Sequence, residues 1–378
     1  MAFKSIRNLN LNGKKILVRV DLNSSFHKGK ILESDRIKEH AKTINFLLSK
    51  KAKVVILAHQ GSPGNRDCVS LEQHAKLLSK YAKVKFIPET IGKKAWFAIS
   101  SLKTGKAILL QNVRYLKSEF EPSTNNDLVN FMKEVGIDYY VNDAFSVSHR
   151  NQTSIVSFPK VFPSAIGLVF EEELKNAEKI KSKLKHCLFI LGGAKSKDLL
   201  PLLKHKVLTG GRLSIVALKA KGFNIKKENG LSNEDSKLIP QIKKHLNNME
   251  LPVDLAISIK GKRKEIYLDD LPSKNPVYDI GRETIEIYKE EIKKAKAIFF
   301  KGAPGLFQYP AFSLGTREIL KAIAGSKAFS VIAGGQSSDA IKQFNINPKK
   351  FDFISLSGGA LVKFIAGEKL VGLEVLKV

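Results

Sequence analysis

The sequence predicts an α/β protein with two open parallel-sheet, Rossmann-like domains joined by a connecting helix. Three observations predict it. Short β-branched runs alternate with helical apolar spacings along the chain, the βαβ pattern of a parallel sheet covered on both faces. At 378 residues the chain exceeds what one hydrophobic core usually covers. Midway, residues 170–185 (FEEELKNAEKIKSKLK) form a charged stretch without glycine or proline, which reads as a surface helix or a rigid interdomain connector, its position favouring the connector. The expected domains are 1–168 and 186–366, with the connecting helix over 169–185 and a C-terminal tail, 367–378.

In order along the first half, Lys15–Val20 is an interior strand, and Asp21 and Asn23 follow at its carboxyl end, the sheet edge where ligands bind. If extended, these two residues face one way and together can grip a hydroxyl or carboxylate. A helix begins at Arg36, with Ile37, Ala41, Ile44 and Leu48 at helical spacing. Val54–Ala58 ends at His59, Ala107–Leu110 ends near Arg114, and Tyr139–Val141 runs into Asn142 and Asp143 and then His149 and Arg150. One such Arg or His is an ordinary surface charge. Repeated at successive strand ends, the arrangement is what a site for a small phosphorylated acid requires.

The second half restarts the alternation, with strands at Cys187–Leu191, Lys206–Thr209, Val253–Ser258, Ala297–Phe300, Phe329–Ala333 and Phe353–Leu356. The helix Thr284–Lys294 places Ile285, Tyr288 and Ile292 on one face. Its repeated feature is glycine just past strand ends: Gly192 and Gly193, Gly210 and Gly211, Gly302 and Gly305, Gly334 and Gly335, Gly358 and Gly359. One pair is a turn. A series of them predicts a nucleotide or polyphosphate site, because glycine lets backbone N–H groups approach a phosphate closely. Neither G-x-x-x-x-G-K-[ST] nor G-x-G-x-x-G occurs, which disfavours P-loop and ordinary dinucleotide folds.

Composition narrows the remaining classes. Hydrophobic content of 43% with 26% charged residues describes a soluble globular protein. No apolar run approaches the ~18 residues of a membrane span, and MAFKSIRNLN lacks the apolar core of a signal peptide, so a cytoplasmic protein is expected. Cys68 and Cys187 are too few for a disulfide framework or a cysteine-based zinc site. A net charge of +28 predicts attraction to phosphates, nucleic acid included, but the lysines are spread without a basic tail or aromatic interleaving. A generally basic, solvated surface with weak non-specific nucleic-acid affinity fits that distribution.

At this point the sequence resembles the phosphoglycerate kinase family over nearly its whole length. The segments that carry the resemblance are VRVDLN, the Asp35-Arg36 helix start, ILAHQGSPG, LQNVRY, YVNDAFSVSHRNQTSIVSF, ILGGAKSKD, VLTGGRLSIVALKAKG, YDIGRETIEIY, KGAPGLFQYPAFSLGT, VIAGGQSSDA and ISLSGGALVKF, in the family's order. SLEQHA and HRNQTSIVSF look closest to the archaeal type. The resemblance implies a monomeric, hinge-bending kinase that transfers a phosphoryl group reversibly between 1,3-bisphosphoglycerate and ADP, giving 3-phosphoglycerate and ATP with Mg²⁺. It implies a triose-acid site of Arg19, Asp21, Asn23, Arg36, His59, Arg114, His149 and Arg150. Arg36 would neutralise the acyl phosphate, and Arg114 and Arg150 would hold the distal phosphate. Lys195 would stabilise the transferring group. Gly192, Gly193, Gly302, Gly334, Gly335, Gly358 and Gly359 would form the nucleotide and transition-state cradle, with Gln308, Gln336 and Ser337 beside it. The closing VGLEVL resembles the family tail, which packs on the first domain.

Departures from the family pattern concentrate on the nucleotide side. Ser62 stands where the widespread pattern has Arg, with Arg66 nearby. Gln336 replaces an Asp associated with the metal–nucleotide complex, Gln308 a ribose-binding Glu, Lys301 an Asn, and Leu199 a second Lys. If Lys195 were helical it would share a face with residue 199, and Lys197 would point away. Asp339, three residues after Gln336, is a candidate carboxylate for the metal; the alternative is a metal held mainly by nucleotide phosphates and water. Two rival readings stand beside the kinase: a non-catalytic relative that binds the triose acid, and a nucleic-acid-binding protein driven by charge.

Overall fold

A computed structural model describes residues 3–377. The chain divides into two compact units: one up to Lys175 together with the tail from Lys369, the other Asn176–Glu368.

The first unit is built on a six-stranded parallel sheet. Its order is Val84–Phe86, Ala107–Leu109, Lys53–Leu57, Lys15–Arg19, Tyr139–Asn142 and Ser164–Ile166. Side chains alternate across the pleat, so Ile16, Val18, Val54 and Ile56 pack one face while Leu17, Val55 and Leu57 pack the other. Because both faces are covered, these strands read as unbroken apolar runs. The helix Asp35–Ser49 buries Ile37, Ala41, Ile44 and Leu47, so Leu47 and not the expected Leu48 turns fully inward. The strands Val84–Phe86 and Ser164–Ile166 were not expected; three residues are too short to display a period. In the tail, Gly372 donates to the Ser148 carbonyl at 2.8 Å, and Val375 packs against the cluster of Ala144, Val147, Ile155 and Val156.

The predicted connecting helix runs over Leu168–Lys181 and stops earlier than residue 185. Beyond it the Ser182 hydroxyl bonds the Lys179 carbonyl at 2.9 Å and the chain tightens, a local bond that competes with helix continuation.

The second unit carries another six-stranded parallel sheet: Met249–Glu250, Val207–Thr209, Cys187–Leu191, Ala297–Lys301, Phe329–Ala333 and Phe353–Ser355. The expected strand at Val253–Ser258 does not join it. Asp254–Ile259 is instead the centre of a three-stranded antiparallel sheet with Lys262–Tyr267 and Val277–Ile280. A two-residue turn makes that pairing: Lys260 (φ 47°) and Gly261 (φ 81°) both adopt positive φ, the geometry that closes a tight hairpin. The strand Lys262–Tyr267 reads KRKEIY and alternates exposed with half-buried residues, a lysine-rich edge whose sequence looks like coil.

Candidate active site

In the first unit the strand ends deliver a set of buried polar groups to one sheet edge. Asp21 is not open to a ligand, as a residue facing outward beside Asn23 would be. It forms an ion pair with Arg36, accepts from the Ser146 hydroxyl, and receives the Asn23 amide at 3.0 Å. Asn23 spends its side-chain carbonyl on the Gly61 amide at 2.8 Å, which leaves its NH₂ as the available group. Arg36 stands at the start of the Asp35–Ser49 helix, and burial, with Arg150 nearby, pushes it down to about 10 while Glu173 opposes the shift. It is therefore a cation at neutral pH. Arg150 is likewise pushed down by burial and by Arg19.

Arg114 is 5% exposed. One of its terminal nitrogens donates to the Gly61 carbonyl and approaches the Ser62 hydroxyl at 3.4 Å. Its Nε and other terminal nitrogen are buried and have no hydrogen-bond partner among the described residues. Unpaired buried guanidinium N–H groups are costly, and an anion is what relieves them. Arg66, the candidate to compensate for Ser62, is exposed on a groove shared with Phe26 and Lys28.

His59 is 1% exposed, and burial together with Arg19, Arg150, Arg36 and His74 holds it well below the ordinary imidazole value, so it is neutral. Arg19, His59, Arg36 and Arg150 are thus brought together. Arg19 itself has no exposed surface.

A polar frame that the sequence reading missed supports these residues. Gln60 spans to Ser24, accepting its amide at 2.8 Å and donating to its carbonyl at 3.0 Å. Asn112 accepts the Arg114 amide at 3.1 Å and donates to the Gln60 carbonyl at 2.9 Å. His40 accepts the Asp21 amide on Nε2 at 3.2 Å, so its Nδ1 carries the proton and donates to Asp143 at 2.7 Å. The other Asp143 oxygen takes the Val169 amide at 2.9 Å, capping the Leu168–Lys181 helix. The signal for these residues was present in the polar residues trailing each strand, as in AHQG and LQNV.

In the second unit the glycines divide into two groups. Gly192 donates to the Lys301 carbonyl and Gly193 to the Ala303 carbonyl, both at 2.9 Å, and Gly211 donates to the Pro304 carbonyl at 2.8 Å. Those amides are spent on packing one loop against another. Gly302, at φ 82°, completes that contact, since a Cβ there would meet the Gly192 carbonyl oxygen at 2.3 Å. Gly334, Gly335 and Gly358 are different: a Cβ at any of them would meet nothing within 4 Å. The open backbone is therefore at Gly335 and Gly358, at the starts of the helices Gly335–Gln343 and Gly359–Ile365, while the Gly334 amide donates to the Ser355 carbonyl at 3.2 Å. Ser337 is buried, bonding the Ala333 carbonyl at 3.0 Å.

Lys195 is not helical. It precedes a 3-10 helix, Ser196–Leu202, whose three-residue repeat turns Ser196, Leu199 and Leu202 inward. Leu199 is a core residue there, and Lys195 and Lys197 are exposed. A second ammonium comes from Lys301, at the end of the central strand: burial pushes it down, Asp198 opposes that, and Lys195 adds to it. A cavity of about 220 Å³ includes Gly193, Gly211, Arg212, Tyr278, Gln308 and Gln336 in its lining. Gln336 and Asp339 are both exposed on the Gly335–Gln343 helix. Among the described residues there is no group of three or more His, Cys, Asp or Glu able to hold a metal ion.

A sequence model of phosphoglycerate kinase matches residues 6–368. The chain belongs to the phosphoglycerate kinase family. It is 40% identical over 400 residues to phosphoglycerate kinase of Methanothermus fervidus, covering 99% of this chain and 97% of that protein. With phosphoglycerate kinase of Sulfurisphaera tokodaii it shares 38% over 398 residues, covering 98% and 95%. The crystal structure of phosphoglycerate kinase from Pyrococcus horikoshii OT3 superposes with a TM-score of 0.92 at 35% identity, covering 99% and 98% of the two chains. Family membership carries the kinase reading over the non-catalytic and nucleic-acid-binding alternatives. Among the described residues no helix is long and apolar enough to cross a membrane.

Proposed function

We propose that this chain transfers a phosphoryl group reversibly between 1,3-bisphosphoglycerate and ADP, giving 3-phosphoglycerate and ATP, as a cytoplasmic monomer. The observation that carries the acid side is buried Arg114, with two guanidinium nitrogens lacking a partner among the described residues, at the sheet edge that also holds the Asp21–Arg36 pair. In this reading Arg114, His149 and Arg150 hold the distal phosphate, the Asn23 NH₂ and His59 contact the acid, and Arg36 neutralises charge on the acyl phosphate.

On the nucleotide side, Lys195 and Lys301 supply two ammonium groups to the transferring phosphoryl. The backbone at Gly334, Gly335, Gly358 and Gly359 surrounds it, and Gln308 faces the ribose. Mg²⁺ enters as part of the nucleotide substrate, with Asp339 the carboxylate nearest Gln336 in sequence on that helix. Phosphoryl transfer asks for little covalent work from the protein; positioning and charge neutralisation supply the rate.

The test is a calorimetric titration of 3-phosphoglycerate into the native protein and into Arg150→Ala. Binding that Arg150→Ala weakens at least about tenfold, with MgADP binding unchanged, supports the assignment. Equal 3-phosphoglycerate binding by both proteins overturns it.

A further inference from the structure

We propose that Arg19 is a positioning residue for His59, not a substrate contact, and that Ser154 and Glu119 are its buried supports. The proposal rests on the reading that His59 faces the triose acid.

The donor and acceptor sense of the network is fixed by its members. A guanidinium only donates, so in the 3.1 Å contact between the Arg19 terminal nitrogen and His59 Nδ1 the ring nitrogen must accept. Nδ1 therefore carries no proton, and the neutral imidazole holds its proton on Nε2. Behind it, Arg19 Nε donates to the Ser154 hydroxyl oxygen at 2.9 Å, and that hydroxyl gives its own hydrogen to Glu119 at 2.7 Å. The other Glu119 oxygen takes the Ser154 amide at 2.9 Å. Arg19, Ser154 and Glu119 have no exposed surface, and among the described residues the guanidinium hydrogen-bonds His59, Ser154 and the Val20 carbonyl.

Protonating His59 would set an N–H against the Arg19 N–H. Burial and the neighbouring Arg19, Arg150, Arg36 and His74 oppose that proton, while an Asp21 oxygen 4.0 Å from Nδ1 favours it. The imidazole is thus a directional donor through Nε2, and among the described residues none takes that bond. Charge at this edge comes from Arg36, Arg114 and Arg150, and orientation comes from a neutral histidine whose tautomer Arg19 sets. When ionised, above about 7, Glu119 offsets the Arg19 charge that this arrangement buries.

The test is long-range ¹H–¹⁵N NMR of the native, unliganded protein labelled at histidine nitrogen, over pH 5.5 to 8, with His59→Gln to identify the signals. The expected result is an unprotonated Nδ1, a protonated Nε2 and no titration across that range. A protonated Nδ1 overturns the proposal, whether or not the protein turns over. The second arm is Arg19→Met with Glu119→Gln, which removes the buried pair together. In that variant His59 is expected to titrate within the range, and kcat/KM for 3-phosphoglycerate to fall by up to about fourfold between pH 8 and 6 where the native protein stays level. If substrate affinity is lost at every pH while the His59 signals stay unchanged, Arg19 touches substrate directly and the proposal fails. If the variant does not fold, the native spectrum alone decides.

Discussion

Arg263 donates to Asp279 at 2.8 Å from the edge strand of the small antiparallel sheet, and the same carboxylate oxygen takes the Gly315 amide at 2.9 Å. The lysine-rich edge strand thus anchors a buried carboxylate that crowds the glycine-bearing loop, since a Cβ at Gly305 would meet the Asp279 oxygen at 2.2 Å. Burial raises Asp279 to about 6 even with Arg263 against it. Arg263→Met leaves that carboxylate without its cation. The expected cost is about 3 kcal/mol of stability in the second unit. KM for MgATP is expected to rise several-fold with KM for 3-phosphoglycerate unchanged. Thermal unfolding and steady-state kinetics check this; equal effects on both substrates would contradict it.

The two glycine groups predict opposite mutational phenotypes. Gly302→Ala meets backbone at 2.3 Å in a positive-φ turn, so it is expected to lower stability by more than about 2 kcal/mol. Gly358→Ala meets nothing within 4 Å and its φ is −111°, so the fold should tolerate it. If the Gly358 backbone lies against phosphate, that variant keeps its melting temperature and loses turnover. Full activity in Gly358→Ala would remove Gly358 from the cradle.

Arg114 predicts a trade between stability and binding. Arg114→Met removes a buried cation with unpaired donors, which cost about 1–3 kcal/mol when unsatisfied. The unliganded variant is expected to melt at or above the native temperature, while the upward shift that 3-phosphoglycerate gives the native protein disappears. A variant that melts lower and still responds to ligand would show that the guanidinium is structural.

Glu119 gives a pH dependence of defined sign. Burial raises its carboxyl from 4.5 to about 7, with Arg19 opposing. The native state then keeps a proton that the unfolded chain releases, so this contribution is complete below pH 4.5 and is lost as pH rises through about 7. Asp279 acts in the same direction from 3.8 to about 6. His59 and His74, both held low by burial, act the opposite way: their contribution is present above 6.5 and lost as pH falls. Glu119→Gln isolates the first effect. Its stability relative to the native protein should improve between pH 5 and 8 by on the order of 3 kcal/mol. Urea unfolding followed by the fluorescence of Trp96, the single tryptophan, reports on the first unit. A pH-independent difference would contradict the raised carboxyl.

Much of this architecture was legible because buried parallel strands announce themselves. Lys15–Arg19, Cys187–Leu191 and Phe329–Ala333 are apolar runs ending in polar or glycine residues. The Lys262–Tyr267 strand was not legible, because an exposed edge strand needs charge where an interior strand needs valine. The shared face expected of Lys195 and residue 199 failed for a similar reason: it assumed an α-helical spacing where the chain forms a 3-10 helix, and the period decides which side chain turns inward. Residues such as Glu119, Gln60 and Asp279 matter through bonds to partners distant in sequence, which no local pattern reveals.

The most direct test of the central claim is a coupled steady-state assay of the purified, folded protein with 3-phosphoglycerate, MgATP and an excess of a reducing dehydrogenase, run beside Arg36→Ala. Turnover by the native protein that Arg36→Ala reduces by at least about a thousandfold is the expected result. Absence of turnover in folded native protein, or turnover that survives loss of Arg36, would contradict it.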